Sequence, residues 1–280
     1  MAEYLFTVLL FFGTTLGLGW PVAARLALEP GEKLGVAVAL SLIGVWLIAW
    51  AVYVFVLPTG LLWVVPVLGG LNLLLGRKSF VRAARSVDGE ELLVAQAIVT
   101  ASSVGWLAVI VSYSGGDWVG DWFGHWDRAR FFLERGPRDI LFTGFDPLTS
   151  RPPLANVVTG AFLHVTRIDF AHYQLVTTLL NSLAFLPVAL LARRFQPAAG
   201  SGAATGVNQT VRLLAVLVML NPLFVQNTTY AWTKLVTAFY VLTGLYFFLR
   251  TRDADPPRSA GPLCGACLAA GVITHYSAGP

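Results

Sequence analysis

Apolar residues run through this chain in long unbroken tracts, without the three–four spacing of a surface helix or the alternation of a half-buried strand. Eight tracts read as helices that cross a membrane: Tyr4–Ala24, Leu34–Leu57, Leu61–Leu75, Leu92–Ser112, Ala171–Ala192, Val211–Val225, Leu235–Leu249 and Ser259–Gly279. A hydrocarbon core takes roughly 20 residues of helix. Leu61–Leu75 is short and holds Pro66 and the pair Gly69-Gly70. Val211–Val225 and Leu235–Leu249 are short as well, and the polar-aromatic connector between them, Gln226–Lys234, can lengthen both. A transmembrane barrel would alternate in strands of about 10 residues instead. The expected fold is an all-α, polytopic transmembrane helical bundle, with residues 1–280 forming one transmembrane domain. Residues 113–170 form a large outer loop that carries juxtamembrane helices.

Basic residues set the expected orientation. Arg25 and Lys33 lie in the first gap, and Arg77, Lys78, Arg82 and Arg85 follow the third tract. Arg193, Arg194 and Arg212 flank another gap, and Arg250, Arg252 and Arg258 a further one. With these four gaps in the cytoplasm, the N-terminus, Pro58-Thr59-Gly60, the 113–170 loop and the 226–234 connector face outward. This holds only if Leu154–Thr166 does not cross. It is too short to span, and it reads as a juxtamembrane helix on the outer surface. Gln196–Gln209 and Asp253–Arg258 read as polar cytoplasmic links.

Composition narrows the class further. The chain is 56% hydrophobic and 12% charged, against about 25% charged in soluble domains. The net charge of +4 is spread over short loops and leaves no nucleic-acid footprint. Cys264 and Cys267 sit among Gly, Ala and Leu with no further ligand near, so they read as small packing residues between helices. The N-terminal tract lacks a basic n-region and reads as a first membrane helix.

The exception to all this apolarity is Tyr113–Pro153. It holds six of the fifteen acidic residues, Asp117, Asp121, Asp127, Glu134, Asp139 and Asp146, together with five arginines. Asp121 to Ala129 reads as a helix on which Asp121, His125 and Arg128 share one face, with Trp122, Phe131 and Phe132 toward the membrane interface. Asp121 can cap that helix. Beside His125 it also suits a general base, or two ligands of a divalent ion. Arg151 stands just before a proline-started helix, where a guanidinium can hold a phosphate or a lipid headgroup. Lys234 opens an apolar helix at the outer side, placed to bind an anion or to snorkel. His275, with Tyr276, closes the last tract, and a histidine at membrane depth is a functional candidate.

Asp121, His125 and Gly136, the run Arg151-Pro152-Pro153-Leu154, and Asn221-Pro222 together resemble the GT-C superfamily of polytopic glycosyltransferases. Its members include the protein O-mannosyltransferases and the aminoarabinose transferase of lipid A. The likeness covers roughly Val111 to Pro280. It departs from the pattern in having a histidine for the aromatic and Trp122 where an acid usually follows. The resemblance implies transfer of a sugar from a polyprenyl-phosphate donor to a lipid, glycan or protein acceptor outside the cytoplasm, with inversion. Asp121 would be the catalytic base. His125, Arg151, Lys234, His275 and Tyr276 would bind substrate, with Asp117 and Asp146 as secondary acids. A bacterial inner membrane, membrane lipids as partners and a divalent metal ion as a possible cofactor belong to the same expectation. Family members commonly run to more spans, so the chain is expected to be the N-terminal portion of a longer protein. The alternative is a transporter or flippase for lipid-linked or anionic solutes, which would place charges mid-span and pair broken helices. A non-catalytic membrane subunit is the third reading.

Overall fold

The computed structural model describes residues 2–110, 119–136, 141–142, 146–147, 152–195 and 204–279, with backbone alone at 119–122, 141–142, 146–147 and 204–209. The first half holds α1 (Ala2–Gly17), α2 (Trp20–Ala23), α3 (Pro30–Val54), α4 (Val64–Leu75), α5 (Arg77–Ala84), α6 (Val87–Ile110) and α7 (Val119–Glu134). A two-residue antiparallel pair follows, β1 (Leu141–Phe142) against β2 (Asp146–Pro147). Then come α8 (Leu154–Val165), α9 (Phe170–Ser182), α10 (Phe185–Arg194), α11 (Ala204–Leu220), α12 (Pro222–Thr229), α13 (Lys234–Arg250) and α14 (Ala260–Thr274).

Apart from that short pair, the described residues form a helical, membrane-embedded bundle. Four stretches are long and apolar enough to cross a membrane: Ala2–Ala23, Pro30–Val54, Val87–Ile110 and Phe170–Arg194. Two further pairs are bent, α4 against α5 by 79° and α11 against α12 by 74°. The expected span Val211–Val225 is therefore broken. Pro222 has no N–H to donate, and Asn221 Oδ1 accepts from the amides of Leu223 (2.9 Å) and Phe224 (3.2 Å), starting a new helix there. α13, 17 residues, covers the expected Leu235–Leu249 tract, whereas α14, 15 residues, is shorter than the expected Ser259–Gly279. The expected link Gln196–Gln209 is also shorter, since α11 already begins at Ala204.

Side-chain contacts sort the helix ends. Arg193 pairs with Asp88, Arg194 with Asp253 (2.6 Å) and Arg250 with Glu32 (2.7 Å). These bonds gather the starts of α3 and α6 with the ends of α10 and α13, so the basic gaps share one end of the bundle. At the opposite end Arg167 pairs with Glu3 (3.0 Å), and Tyr4 stacks on His172 at 4.9 Å. Helix crossings rely on small residues, as they must where lipid competes for apolar contact. A Cβ on Gly17 would stand 2.1 Å from the carbonyl oxygen of Gly69, so α1 and α4 touch backbone to backbone. A Cβ on Gly244 would meet Leu268 at 2.8 Å, with the carbonyl oxygen of Cys264 at 3.5 Å; this fits the packing reading of the CxxC segment.

α7 lies across the end opposite the basic one. Phe131 and Phe132 are buried against Tyr53 (5.8 and 5.0 Å between ring centres), and Phe132 also meets Trp50. The Arg135 guanidinium reaches the Leu57 carbonyl. The two phenylalanines thus anchor α7 to α3; the expected contact with the lipid interface is not what they make. α8 is likewise no surface helix. Its residues from Leu154 to Leu163 are all buried, because α7 covers one side while α3 and α9 close the others. The α7–α8 contact turns on Gly160, where a Cβ would stand 2.8 Å from the Ala129 carbonyl oxygen. Gly160→Val is expected to push α7 off its seat and to cost about 1–3 kcal/mol, read as a lowered melting temperature of the detergent-solubilised protein.

Candidate functional site

The register of α13 explains why the far end of the bundle is indented. Tyr240 donates to the Ala39 carbonyl (3.3 Å) and Tyr246 to Glu32 (2.7 Å), so α13 runs antiparallel to α3. On that register Lys234 begins roughly nine residues below the Val54 end of α3, or ~13 Å at helical rise. α14 returns beside α13, with Gly271 near Val241 and Tyr240, and so ends at the level where α13 starts. The chain reaches Lys234 through a connector drawn into the bundle. Asn181, fully buried on α9, donates from Nδ2 toward the carbonyls of Asn227 (3.2 Å), Thr228 (3.3 Å) and Tyr230 (3.3 Å).

Between this connector, α7, α8 and α9 lies a narrow crevice of about 10 Å³, room for roughly one water molecule. His125, Asn156, Tyr173, Asn181, Trp232 and Thr233 are among its walls. His125 is 3% exposed, and its Nδ1 donates to Asn156 Oδ1 at 3.1 Å. The bond leaves Nε2 as the ring's acceptor when the imidazole is neutral. Asn156 Nδ2 and Asn181 Oδ1 are buried and make no hydrogen bond. The Tyr173 hydroxyl points to the Ala231 carbonyl at 3.5 Å, and Trp126 packs over Tyr173 at 5.1 Å, which ties α7 to the start of α9. At the rim, Lys234 is exposed, with Nζ 3.6 Å above the Trp232 ring.

The predicted residues divide accordingly. His125 and the segment led by Lys234 come together, although more than 100 residues separate them in sequence. His125 and Arg128 do share a face, as their spacing requires, and both are buried against the bundle. Asp121 lies in α7 one turn before His125, and Asp146 lies in β2; their side chains are outside the described residues. Asp117 and Arg151 are wholly outside them. His275 does not line the crevice. Its Nδ1 accepts from the Ser277 amide (3.1 Å) and lies 2.8 Å from Ser277 Oγ, while Tyr276 stacks on its ring at 4.4 Å and is exposed. His275 therefore caps the turn that ends α14, at the same level of the bundle as Lys234.

Apart from Lys234, the charges near the crevice belong to α7. Burial pushes the Asp127 carboxyl above its usual range, and Arg130 offsets this only in part. Further round the same end, Asp169 caps α9, accepting from the His172 amide (2.8 Å) and from its Nδ1 (2.9 Å). Burial would raise the Asp169 carboxyl, but those bonds and the nearby Arg167 hold it below its usual range. Among the described residues no three His, Cys, Asp or Glu side chains come together as a metal site would need. The acids of 113–150 that could add ligands have no described side chains.

Several of these residues were missed in the sequence. Asn156, Tyr173 and Asn181 sit inside apolar tracts, and the rule that singled out His275, a polar group at membrane depth, applies to them equally. Comparison with protein-family models, curated proteins and solved structures finds no match for this chain.

Proposed function

We propose that this protein is a membrane glycosyltransferase of the GT-C kind, moving a sugar from a polyprenyl-phosphate donor to an acceptor at the end of the bundle opposite the basic gaps. By the distribution of Lys and Arg that end faces away from the cytoplasm. The observation that carries the reading is the crevice itself. A narrow, histidine-bearing crevice is sunk among apolar helices with a cation beside its mouth, and the donor and acceptor would meet over that mouth rather than within it. Asp121, one turn from His125, would accept the proton of the attacking hydroxyl. Lys234 would face the leaving phosphate, whose charge grows as the glycosidic bond breaks. Arg151 would add a second cation, and Asp117 and Asp146 would serve the acceptor or a divalent ion.

The experiment is release of polyprenyl phosphate from a panel of polyprenyl-phospho-sugars by the purified protein in nanodiscs, supplied with candidate acceptors. Turnover of any donor supports the reading, and inertness toward the whole panel with each acceptor class counts against it. Lys234→Gln is expected to raise KM for the donor about tenfold or more while leaving the fold intact, because Lys234 is exposed and its ring contact with Trp232 is peripheral to the core. An unchanged KM removes Lys234 from the donor site.

One observation favours the second reading, a transporter. Two helix pairs are bent by 79° and 74°, and broken helices line many translocation paths. Uptake of a labelled anionic solute into proteoliposomes, without donor cleavage, would decide for it.

A further inference from the structure

At the end of the bundle opposite the basic gaps, α1 and the turn between α8 and α9 enclose a second cavity, of about 340 Å³. It shares no lining residue with the crevice. Its size falls in the range of roughly 300–1,000 Å³ that small-molecule pockets occupy. Glu3, Phe6 and Thr7 line it from α1, and Thr166, Arg167 and His172 from the other side. A chain of charged bonds joins the two sides. Arg167 donates from Nη1 to Glu3 Oε2 (3.0 Å) and from Nε to Asp169 Oδ2 (2.9 Å). His172 donates from Nδ1 to Asp169 Oδ1 (2.9 Å).

What these side chains leave open is mostly acceptor. A carboxylate can only accept from Nδ1–H, so the neutral His172 ring offers Nε2 as an acceptor. That ring is 2% exposed, and its Nε2 makes no hydrogen bond among the described residues. Thr7, 1% exposed, commits its hydroxyl proton to the Glu3 carbonyl (2.9 Å), and Thr166 commits its own to Phe162 (2.8 Å), so each keeps only lone pairs. Glu3 Oε1 is unbonded among the described residues. Glu3 and Thr7 stand one turn apart on one face of α1. Three acceptors of this kind suit a primary ammonium, which has three N–H donors. Arg167 is the exception. It is exposed, and its Nη2 makes no bond among the described residues, which leaves a donor for a phosphate. The helical start at Ala2 and Glu3 adds backbone N–H groups beside it. Phe6, exposed on α1 with Leu5 and Leu9, continues the cavity wall as an apolar strip. We infer that this cavity takes the headgroup of a lipid whose phosphodiester carries a primary ammonium. The ammonium sits among Glu3, Thr7 and His172, the phosphate meets Arg167, and the chains lie along Leu5, Phe6 and Leu9. The site does not rest on the transferase reading.

The test uses the full chain in nanodiscs of phosphatidylethanolamine, phosphatidylcholine and phosphatidylglycerol in equal parts. Native mass spectrometry then reads which lipids stay bound on gentle release of the protein. Wild type is expected to retain phosphatidylethanolamine about tenfold over either other lipid, the effect of one hydrogen bond to a charged group. Choline has no N–H for the three acceptors, and glycerol carries no cation. Glu3→Gln removes the carboxylate from an exposed position, and the preference is expected to fall to about twofold, with an unchanged melting curve showing that the protein is folded. Thr7→Val keeps the side-chain volume and leaves the Glu3–Arg167 pair in place. It is expected to lower the preference about threefold, since one of the three acceptors is lost. Equal retention of the three lipids by wild type overturns the site, as does a preference that neither variant reduces. Soluble phosphoethanolamine separates the sources of the headgroup. If protein in phosphatidylcholine nanodiscs binds it while showing no preference for phosphatidylethanolamine in the mixed discs, the ligand is a solute and the lipid assignment is overturned.

Discussion

Asp121→Asn is expected to abolish sugar transfer while leaving the lipid-linked donor bound. The substitution keeps the shape of the side chain and removes its basicity. An acceptor hydroxyl is a poor nucleophile until its proton has somewhere to go, and a placed general base accelerates such steps about 10²–10⁴-fold. The loss should appear in kcat, with donor KM little changed, because the base acts in the transition state. Substitution of His125 should behave differently. His125 is buried and bonded to Asn156, so His125→Gln perturbs the crevice wall and should move KM and kcat together. If Asp121→Asn turns over at the wild-type rate, the base lies elsewhere. Asp127 is then the next candidate, since burial already raises its carboxyl toward a base's working range.

The bundle was legible because lipid imposes a blunt rule. Continuous apolar tracts must be helices, since every backbone group has to be satisfied within the segment. The basic gaps also sorted correctly to one end, as the ion pairs among Asp88, Arg193, Arg194 and Asp253 show. Where the reading failed, it had treated each tract alone. Nothing local says that α8 will be enclosed, because its cover, α7, is amphipathic and anchors through Phe131 and Phe132 to rings on α3. Nor does hydropathy see the break at Asn221-Pro222, where capping chemistry outweighs apolar composition.

The candidate site was half legible. Charge and position singled out His125 and Lys234, and the fold brings their segments to one cleft. The same criteria passed over Asn156 and Asn181, which are uncharged and lie in apolar runs; only the fold shows that both line one crevice. Glu32 and Glu91 lie just before the tracts Leu34–Leu57 and Leu92–Ser112, yet the fold buries them near the starts of α3 and α6, at 1% and 3% exposure.

Glu32 supports the second large effect. Arg250→Ala is expected to destabilise the protein by about 3–5 kcal/mol, the range found when one partner of a buried ion pair is removed. The carboxylate meets Arg250 at 2.7 Å through Oε1, which also accepts from the Tyr246 hydroxyl at 2.7 Å. Its Oε2 accepts from the Glu29 amide at 2.7 Å, closing the capping box at the start of α3. Without the guanidinium, Glu32 must either stay charged in an apolar site or take up a proton, and both cost stability. Tyr246→Phe removes one hydrogen bond and leaves the charges paired, so about 0.5–1.5 kcal/mol is expected. The double variant Glu32→Gln with Arg250→Met removes both charges and should recover most of the loss. Arg250 also holds Asp253, which Arg194 reaches at 2.6 Å from α10. Arg194's hydrogen bond, more than any other contact, keeps the Asp253 carboxyl below its usual range. A lowered carboxyl stabilises the fold above its ordinary pKa, and the contribution fades as pH falls through the folded value. Wild type should therefore lose stability on acidification below about pH 4. Asp253→Asn should lose less over the same interval in thermal melts. A melting temperature that Arg250→Ala leaves unchanged would show that the ion pair adds nothing to the hydrogen bonds and apolar packing that join α3 and α13.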